Sequence, residues 1–376
     1  MTTSALDVPA GLNGVAVAAT ALGDVRGEEG FFHYRQYDAT GLARTRSFED
    51  VWFLFTAGRL PDPAELATFR AEVARLRRVP PALRPVIDAV AATPASPLAR
   101  LRTVLSASAG ALGLRPLVDL DTEARTGQAH SIAAVTPAVL AALHRAGSGL
   151  DPIEPDPSLG HVAAYLYEST GERPGPEAIR ALEQYLILTI DHGFNASTFT
   201  ARVVASTGAD LADVVSAAAG ALSGPLHGGA PSRALDALDA IGTPDRAADY
   251  VRSEIAAGRR IMGFGHPVYR APDPRSTLLR EVALGLGGEL VDRAVEVEAA
   301  ILATLAELKP DRPLPSNVEY YAGVVMATLG LPREMFTPTF AVSRVVGWTA
   351  HAVEQAAAGK VIRPGSRYVG PAVERA

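Results

Sequence analysis

Three short segments each place a histidine in a glycine-rich break beside a helical stretch. They are Asp191-His-Gly-Phe-Asn-Ala-Ser-Thr-Phe-Thr-Ala-Arg202, Gly224-Pro-Leu-His-Gly-Gly-Ala230 and Met262-Gly-Phe-Gly-His-Pro-Val-Tyr-Arg-Ala-Pro-Asp-Pro-Arg275. Loops held by rigid elements are where catalytic side chains concentrate, and imidazole is the side chain that gives or takes a proton near neutral pH. His227 stands directly before two glycines, which let a ligand approach the backbone closely. A helix expected after them points its positive end at His227. That favours the neutral ring, a hydrogen-bond donor without charge. His33, His130, His144 and His161 lack such surroundings and read as surface or capping residues. His351 lies inside a helical stretch and reads as structural. The chain has no cysteine, which removes a thiolate nucleophile, a disulfide framework and thiolate metal sites. No His-Glu-x-x-His or similar spacing groups metal ligands, so no metal is expected.

The elements that must hold these segments are mostly helical. Alanine and leucine dominate, and aromatic residues are only 6% of the chain, a composition that favours helices. The 376 residues are too many for one small core and suggest two or three domains. Residues 1 to 47 are glycine-rich with aromatic punctuation, which fits short strands or hairpins. From Phe48 the pattern turns helical. Ser47 with Asp50 can form a capping box, and the helix should run to Gly58 before Pro61 and Pro63. The stretch from Pro80 to Pro157 reads as helices broken by prolines at 94, 97, 116 and 137. A further helix starts near Pro176, with an apolar stripe at Ile179, Leu182, Leu186 and Ile190. Asp210, supported by Asp213, caps the next, which Gly224-Pro225 stops. Another starts near Pro231. Gly287-Gly288 and the segment 310 to 315 read as turns.

Net charge is −6 and no basic patch or stripe is present, so nucleic acid is not an expected partner. The first basic residue is Arg26, so the amino terminus resembles neither a secretory signal nor a transit peptide. No apolar run approaches the ~18 residues of a membrane helix. A cytoplasmic location is expected.

The three histidine segments, in this order, resemble citrate synthases. So do Asn317-Val-Glu-Tyr-Tyr-Ala-Gly323, Met335-Phe-Thr-Pro-Thr-Phe-Ala-Val-Ser-Arg-Val-Val-Gly-Trp348, and the pair Ile362-Arg-Pro364 with Tyr368-Val-Gly-Pro371. Tyr34-Arg-Gln-Tyr-Asp38 and Phe48-Glu-Asp-Val51 match more loosely. The resemblance implies a mainly α fold with a large domain built from 1–228 and 331–376 and a smaller mobile domain at 229–330, in a homodimer. It implies Claisen-type condensation of acetyl-CoA with oxaloacetate, then thioester hydrolysis to citrate and CoA. His227 then corresponds to the donor that stabilises the enol of the thioester. His266 corresponds to the group that polarises and protonates the ketone, and Glu319 to the base that removes the α-proton. His192, Arg275 and Arg344 correspond to substrate ligands, and Arg363 to a ligand supplied across the dimer interface. Arg270 matches a residue near the CoA phosphates, and the loop Gly263-Phe264-Gly265 would cradle the adenine. The acyl-CoA is a co-substrate; no permanently bound cofactor is implied.

These residue types suit that chemistry. A thioester methyl needs a base and a donor on its carbonyl oxygen, the ketone needs its own proton donor, and two carboxylates suit guanidinium groups. The sequence departs from the family pattern in three places. Glu319 stands where Asp is usual, Ala95-Ser-Pro-Leu98 lacks the usual His-Pro-Met, and Pro267 follows His266 where many members have Arg. Residues 60 to 160 match poorly. A 2-methylcitrate synthase acting on propionyl-CoA shares every residue named, because one methylene changes selectivity by only ~1–3 kcal/mol. A non-catalytic CoA- or dicarboxylate-binding paralogue is the alternative from another class.

Overall fold

The computed structural model describes residues 8–371 except 13, 226, 229, 267 and 270. Helices dominate it, as the alanine- and leucine-rich composition predicts. The sheet among the described residues is a three-stranded antiparallel meander of Gly23–Arg26, Phe31–Tyr34 and Tyr37–Asp38. Side chains alternate across a strand, so Phe32 and Tyr34 enter the core while Phe31 and His33 stay half-buried.

Local signals start the helices that matter for the site. Ser47 and Asp50 form the full capping box of Phe48–Ala57, which Gly58 ends in the left-handed region. Pro176 occupies the first turn of Pro176–Thr189. Asn195 caps Ala196–Ser206, Asp210 caps Leu211–Leu222, Asp273 caps Pro274–Leu286 and Asn317 caps Val318–Thr328, each by a side-chain oxygen that accepts a backbone N–H.

The centre is the helix Phe336–Ala358, buried along most of its length, with Arg344, Trp348 and His351 among its enclosed residues. A helix hydrophobic on all sides belongs in a core. It packs against Thr122–Gly147, Pro176–Thr189, Ala196–Ser206 and Leu211–Leu222. A second group, Ala230–Ile241, Ala247–Ala256, Pro274–Leu286, Glu289–Leu308 and Val318–Thr328, packs chiefly within itself. It meets the first group where Pro274–Leu286 lies on Pro176–Thr189 and Ala230–Ile241 lies on Phe336–Ala358. The histidine segments lie at the joins between these helices. No helix among the described residues is long and apolar enough to cross a membrane.

Three expectations are corrected here. Pro137 does not break its helix but lies inside Thr122–Gly147. An interior proline costs about 3 kcal/mol, and burial of Ile132 to Ala141 around it offsets that. His130 and His161 are core residues, not surface ones: both rings pack edge-on to Trp52, and His161 stacks on Phe48. The helix His161–Thr170 had no sequence signal, because Gly160 offers no capping side chain. Its first N–H is instead accepted by Glu49 Oε1 at 2.8 Å, from a helix far away in the chain.

Candidate active site

The loop before Pro274–Leu286 carries His266. Gly263 and Gly265 adopt φ of +86° and +79°, and a Cβ on Gly265 would meet Leu314 at 2.9 Å, so glycine is required. The loop is tied to the segment that launches the next helix. Gly265 N donates to Pro315 O (2.7 Å), Asn317 N donates to Gly263 O (2.8 Å), and Asn317 Nδ2 donates to Gly265 O (2.9 Å). Gly263 N–H and Phe264 C=O have no backbone partner among the described residues. Arg270, expected near the CoA phosphates, lies outside the described residues, as does Pro267.

His266 Nδ1 accepts from Val268 N (3.0 Å) and Tyr269 N (3.1 Å). A backbone N–H cannot reverse its role, so the proton of the neutral ring sits on Nε2. Burial and the Arg275 charge push the ring down to about 4, so it is neutral at physiological pH. Its Nε2–H faces Arg275 Nη2 at 3.2 Å. Two donors aimed at each other call for an acceptor oxygen.

Arg275 is held by Asp273, only 1% exposed. Asp273 Oδ1 accepts from Arg275 Nε (3.0 Å) and Oδ2 from Nη2 (2.8 Å), a bidentate pair. The same carboxylate accepts from Val318 N at 3.2 Å. Asp273 therefore joins Arg275 to the start of the helix that bears Glu319, and its pKa lies below the usual value because of this pairing, against the cost of burial.

Glu319 sits in the first turn of Val318–Thr328, its N–H accepted by Asn317 Oδ1 (3.0 Å). Neither of its carboxylate oxygens has a hydrogen-bond partner among the described residues. Burial raises its pKa to about 7, with Arg275 pulling it down and Asp273 pushing it up. A carboxylate poised there is suited to take a proton at neutral pH.

His192 Nε2 pairs with Tyr269 Oη at 2.9 Å, and its ring lies 5.6 Å from His266, edge to face. Burial, Arg275 and His266 lower its pKa well below the usual value. Arg344 is 2% exposed and spends one donor on the protein, Nε to Thr189 O at 2.7 Å. Burial draws its pKa down to about 10, so it stays charged. Its outer nitrogens make no hydrogen bond to a described residue. Beneath them, Asp191 Oδ1 accepts from His351 Nε2 (3.2 Å), and Arg202 Nη1 donates to His351 Nδ1 (2.9 Å) and to Glu354 Oε2 (2.5 Å). His351 is thus structural, as expected.

His227 Nε2 accepts from Ser197 N at 3.3 Å and pairs with Ser197 Oγ at 2.9 Å. Trp348 Nε1 donates to the same hydroxyl (3.2 Å). The neutral ring therefore carries its proton on Nδ1. Burial, then the Arg344 charge, lower it to about 4. The neutral donor anticipated at His227 is what the environment produces.

The family model for the C-terminal domain of citrate synthase matches residues 11–365. The citrate synthase of Haloferax volcanii is 38% identical, over 96% of this chain and 95% of its own. The 2-methylcitrate synthase of Mycobacterium tuberculosis is also 38% identical, over 97% of this chain and 91% of its own. A solved ternary complex of Thermoplasma acidophilum citrate synthase with carboxymethyl coenzyme A and oxaloacetate superposes with a TM-score of 0.90. It is 28% identical and is covered over 98% of both chains. The chain belongs to the citrate synthase family. It is an enzyme of citrate synthase type with that family's mainly α fold.

For this citrate-synthase-type enzyme, the structure brings together His192, His227, His266, Arg275, Glu319 and Arg344. Arg275 acts on His192, His266 and Glu319, and Arg344 on His192 and His227. Arg363 is exposed on the extended segment 360–371 and makes no hydrogen bond or ion pair with a described residue. No group of three or more metal-ligating side chains exists among the described residues. Sequence reasoning missed Asp273, Tyr269, Ser197 and Trp348. All four lie inside the segments it quoted. Asp273-Pro-Arg275 carried a helix-start signal that placed the aspartate beside the arginine.

Proposed function

We propose that this enzyme condenses acetyl-CoA with oxaloacetate and hydrolyses the resulting thioester, giving citrate and CoA. The observation that carries this reading is the pair of facing donors at His266 Nε2 and Arg275 Nη2, with a half-neutral carboxylate on Glu319 beside them. In this reading a ketone oxygen of the dicarboxylate sits between the two donors. Arg275, Arg344 and His192 take its carboxylates, joined by Arg363 from the partner subunit of a homodimer.

Glu319 removes a proton from the thioester's α-carbon while His227 Nδ1–H donates to the thioester oxygen. The new carbon–carbon bond forms at the polarised ketone carbon, and the alkoxide takes the proton of His266 Nε2, which is restored by the proton that Glu319 removed, so that both groups end as they began. Water then cleaves the thioester, leaving a carboxylate and free CoA thiol. The Gly263 N–H and Phe264 C=O, without a backbone partner among the described residues, are available to the adenine, and Arg270 is assigned to the phosphates by the family resemblance alone. Enolisation needs water excluded and hydrolysis needs it admitted. We assign that alternation to movement of residues 229–330 against 1–228 and 331–376. No metal takes part.

The similarity to a 2-methylcitrate synthase supports a second reading with propionyl-CoA. The test is kcat/KM for CoA release with oxaloacetate, comparing the two thioesters. A thiol-trapping reagent reads it cleanly because the chain has no cysteine. Preference for acetyl-CoA supports citrate formation. Preference for propionyl-CoA moves the substrate and leaves the residues in place. Release with neither overturns the reading.

A further inference from the structure

The hairpin of Gly23–Arg26 and Phe31–Tyr34 touches two of the three histidine segments, those of His192 and His266. Its inward residues lie under the first: the Phe32 ring is 5.6 Å from His192, and Tyr34 Oη donates to Ile187 O (2.8 Å) and Asp191 O (3.1 Å). Val25 packs against Gly193, its methyl 3.4 Å from where a Cβ would stand. Its turn lies on the His266 segment. A Cβ on Gly27 would stand 2.2 Å from Val268 O and 2.8 Å from Val268 C, both backbone atoms. A Cβ on Gly30, at φ +61°, would stand 3.1 Å from the Ala271 methyl and 3.2 Å from Pro272 O.

Val268 is also the residue whose N–H, with that of Tyr269, holds His266 Nδ1. Tyr269 in turn holds His192 through its hydroxyl. We infer that the hairpin is a positioning element for the reaction: its turn, pressed backbone to backbone on Val268, holds the loop that fixes the orientation of His266, and Gly27 is the residue that permits this contact. The inference rests on His266 as the ketone-polarising group. No side chain fits between Gly27 and Val268, so any larger residue moves the peptide that donates to His266 Nδ1. A displacement of ~1 Å at a catalytic group costs on the order of 10²-fold in rate.

The test is Gly27→Ala in the full chain, with Gly30→Asn as a milder companion, because asparagine tolerates the left-handed region. Asp24→Ala, on the outward side of the first strand, is the control. Three quantities are read: kcat, KM for each substrate, and the 13C shift of bound [2-13C]oxaloacetate, which reports ketone polarisation without turnover. The expected result for Gly27→Ala is a loss of roughly 10–100-fold in kcat/KM for oxaloacetate. KM for acyl-CoA should stay within about twofold and the bound ketone resonance should move back toward its free value, since only the ketone's donor is displaced. Gly30→Asn should show the same pattern in smaller degree, and Asp24→Ala none. Full polarisation and unchanged kinetics in both glycine variants would overturn the hairpin's role. Absence of polarisation in the unaltered enzyme would instead overturn the reading of His266.

Discussion

Glu319 gives the sharpest quantitative expectation. Its pKa of about 7 arises from burial, with Arg275 and Asp273 pulling in opposite directions. His227 and His266 have both fallen to about 4, so neither titrates between pH 5 and 8. One ionisation should then govern the acid limb of the rate. With a pKa of about 7, roughly half of Glu319 is ionised at pH 7 and about one eleventh at pH 6, so kcat/KM for the acyl-CoA should fall about fivefold over that interval and about tenfold per unit below it. Bound dicarboxylate occupies Arg275 and weakens its pull on Glu319, so the limb in the loaded enzyme lies at or above this midpoint.

The same group makes a stability prediction of opposite sign. Its folded-state pKa is above the unfolded value, so the folded chain binds this proton more tightly and the contribution worsens as pH rises from 4.5 through about 7. Carrying the value from 4.5 to about 7 costs the folded state about 3 kcal/mol once both states are ionised. Glu319→Gln should therefore abolish the acid limb, lower kcat by ~10²–10⁴, and at pH 8 be more stable than the parent by up to that cost. The assays are CoA release from pH 5.5 to 8.5 and denaturant unfolding at pH 5 and pH 8. A limb centred near pH 4.5, or a Gln variant with normal turnover, would refute Glu319 as a buried base.

Asp273→Asn leaves buried Arg275 without its partner and should destabilise the fold by about 3–5 kcal/mol. It should also lower the Glu319 pKa, shifting the acid limb to lower pH; an unmoved limb would contradict the coupling. Arg344→Lys loses the guanidinium fork and the Nε bond to Thr189, so KM for oxaloacetate should rise at least tenfold, on the order of one charge-assisted bond; an unchanged KM would remove Arg344 from the site. Mixing and reassociating Glu319→Gln with Arg363→Ala should recover about a quarter of wild-type activity, because half the dimers then hold one intact shared site. No recovery would place Arg363 outside the partner's site.

Local structure was legible where one residue decides it. The Ser47 and Asp50 box, the Asp210 cap, the Pro176 start and the paired glycines at 287 and 288 all follow from side-chain or φ requirements within a few residues. The three histidine segments marked part of the candidate site, but Glu319 and Arg344 lie in other segments and were placed only by the family resemblance. A neutral His227 was expected from the helix after it, whereas burial and the Arg344 charge produce it. What escaped depends on distant chain. Glu49 caps a helix whose own sequence offers no cap. Trp52 draws His130 and His161 into the core. Packing on both sides keeps Pro137 within a helix. Asp273 was passed over although adjacent, because its second bond, to Val318 N, exists only once two helices meet.

Carbon–carbon bond formation itself can be followed by NMR with methyl-13C-labelled acetyl-CoA and oxaloacetate. The label should appear in a methylene beside a tertiary alcohol carbon, with one CoA thiol released per product, and neither signal should form with Glu319→Gln or His266→Gln. Labelled free acetate as the sole product, or an unchanged thioester with the folded enzyme, would contradict condensation at this site.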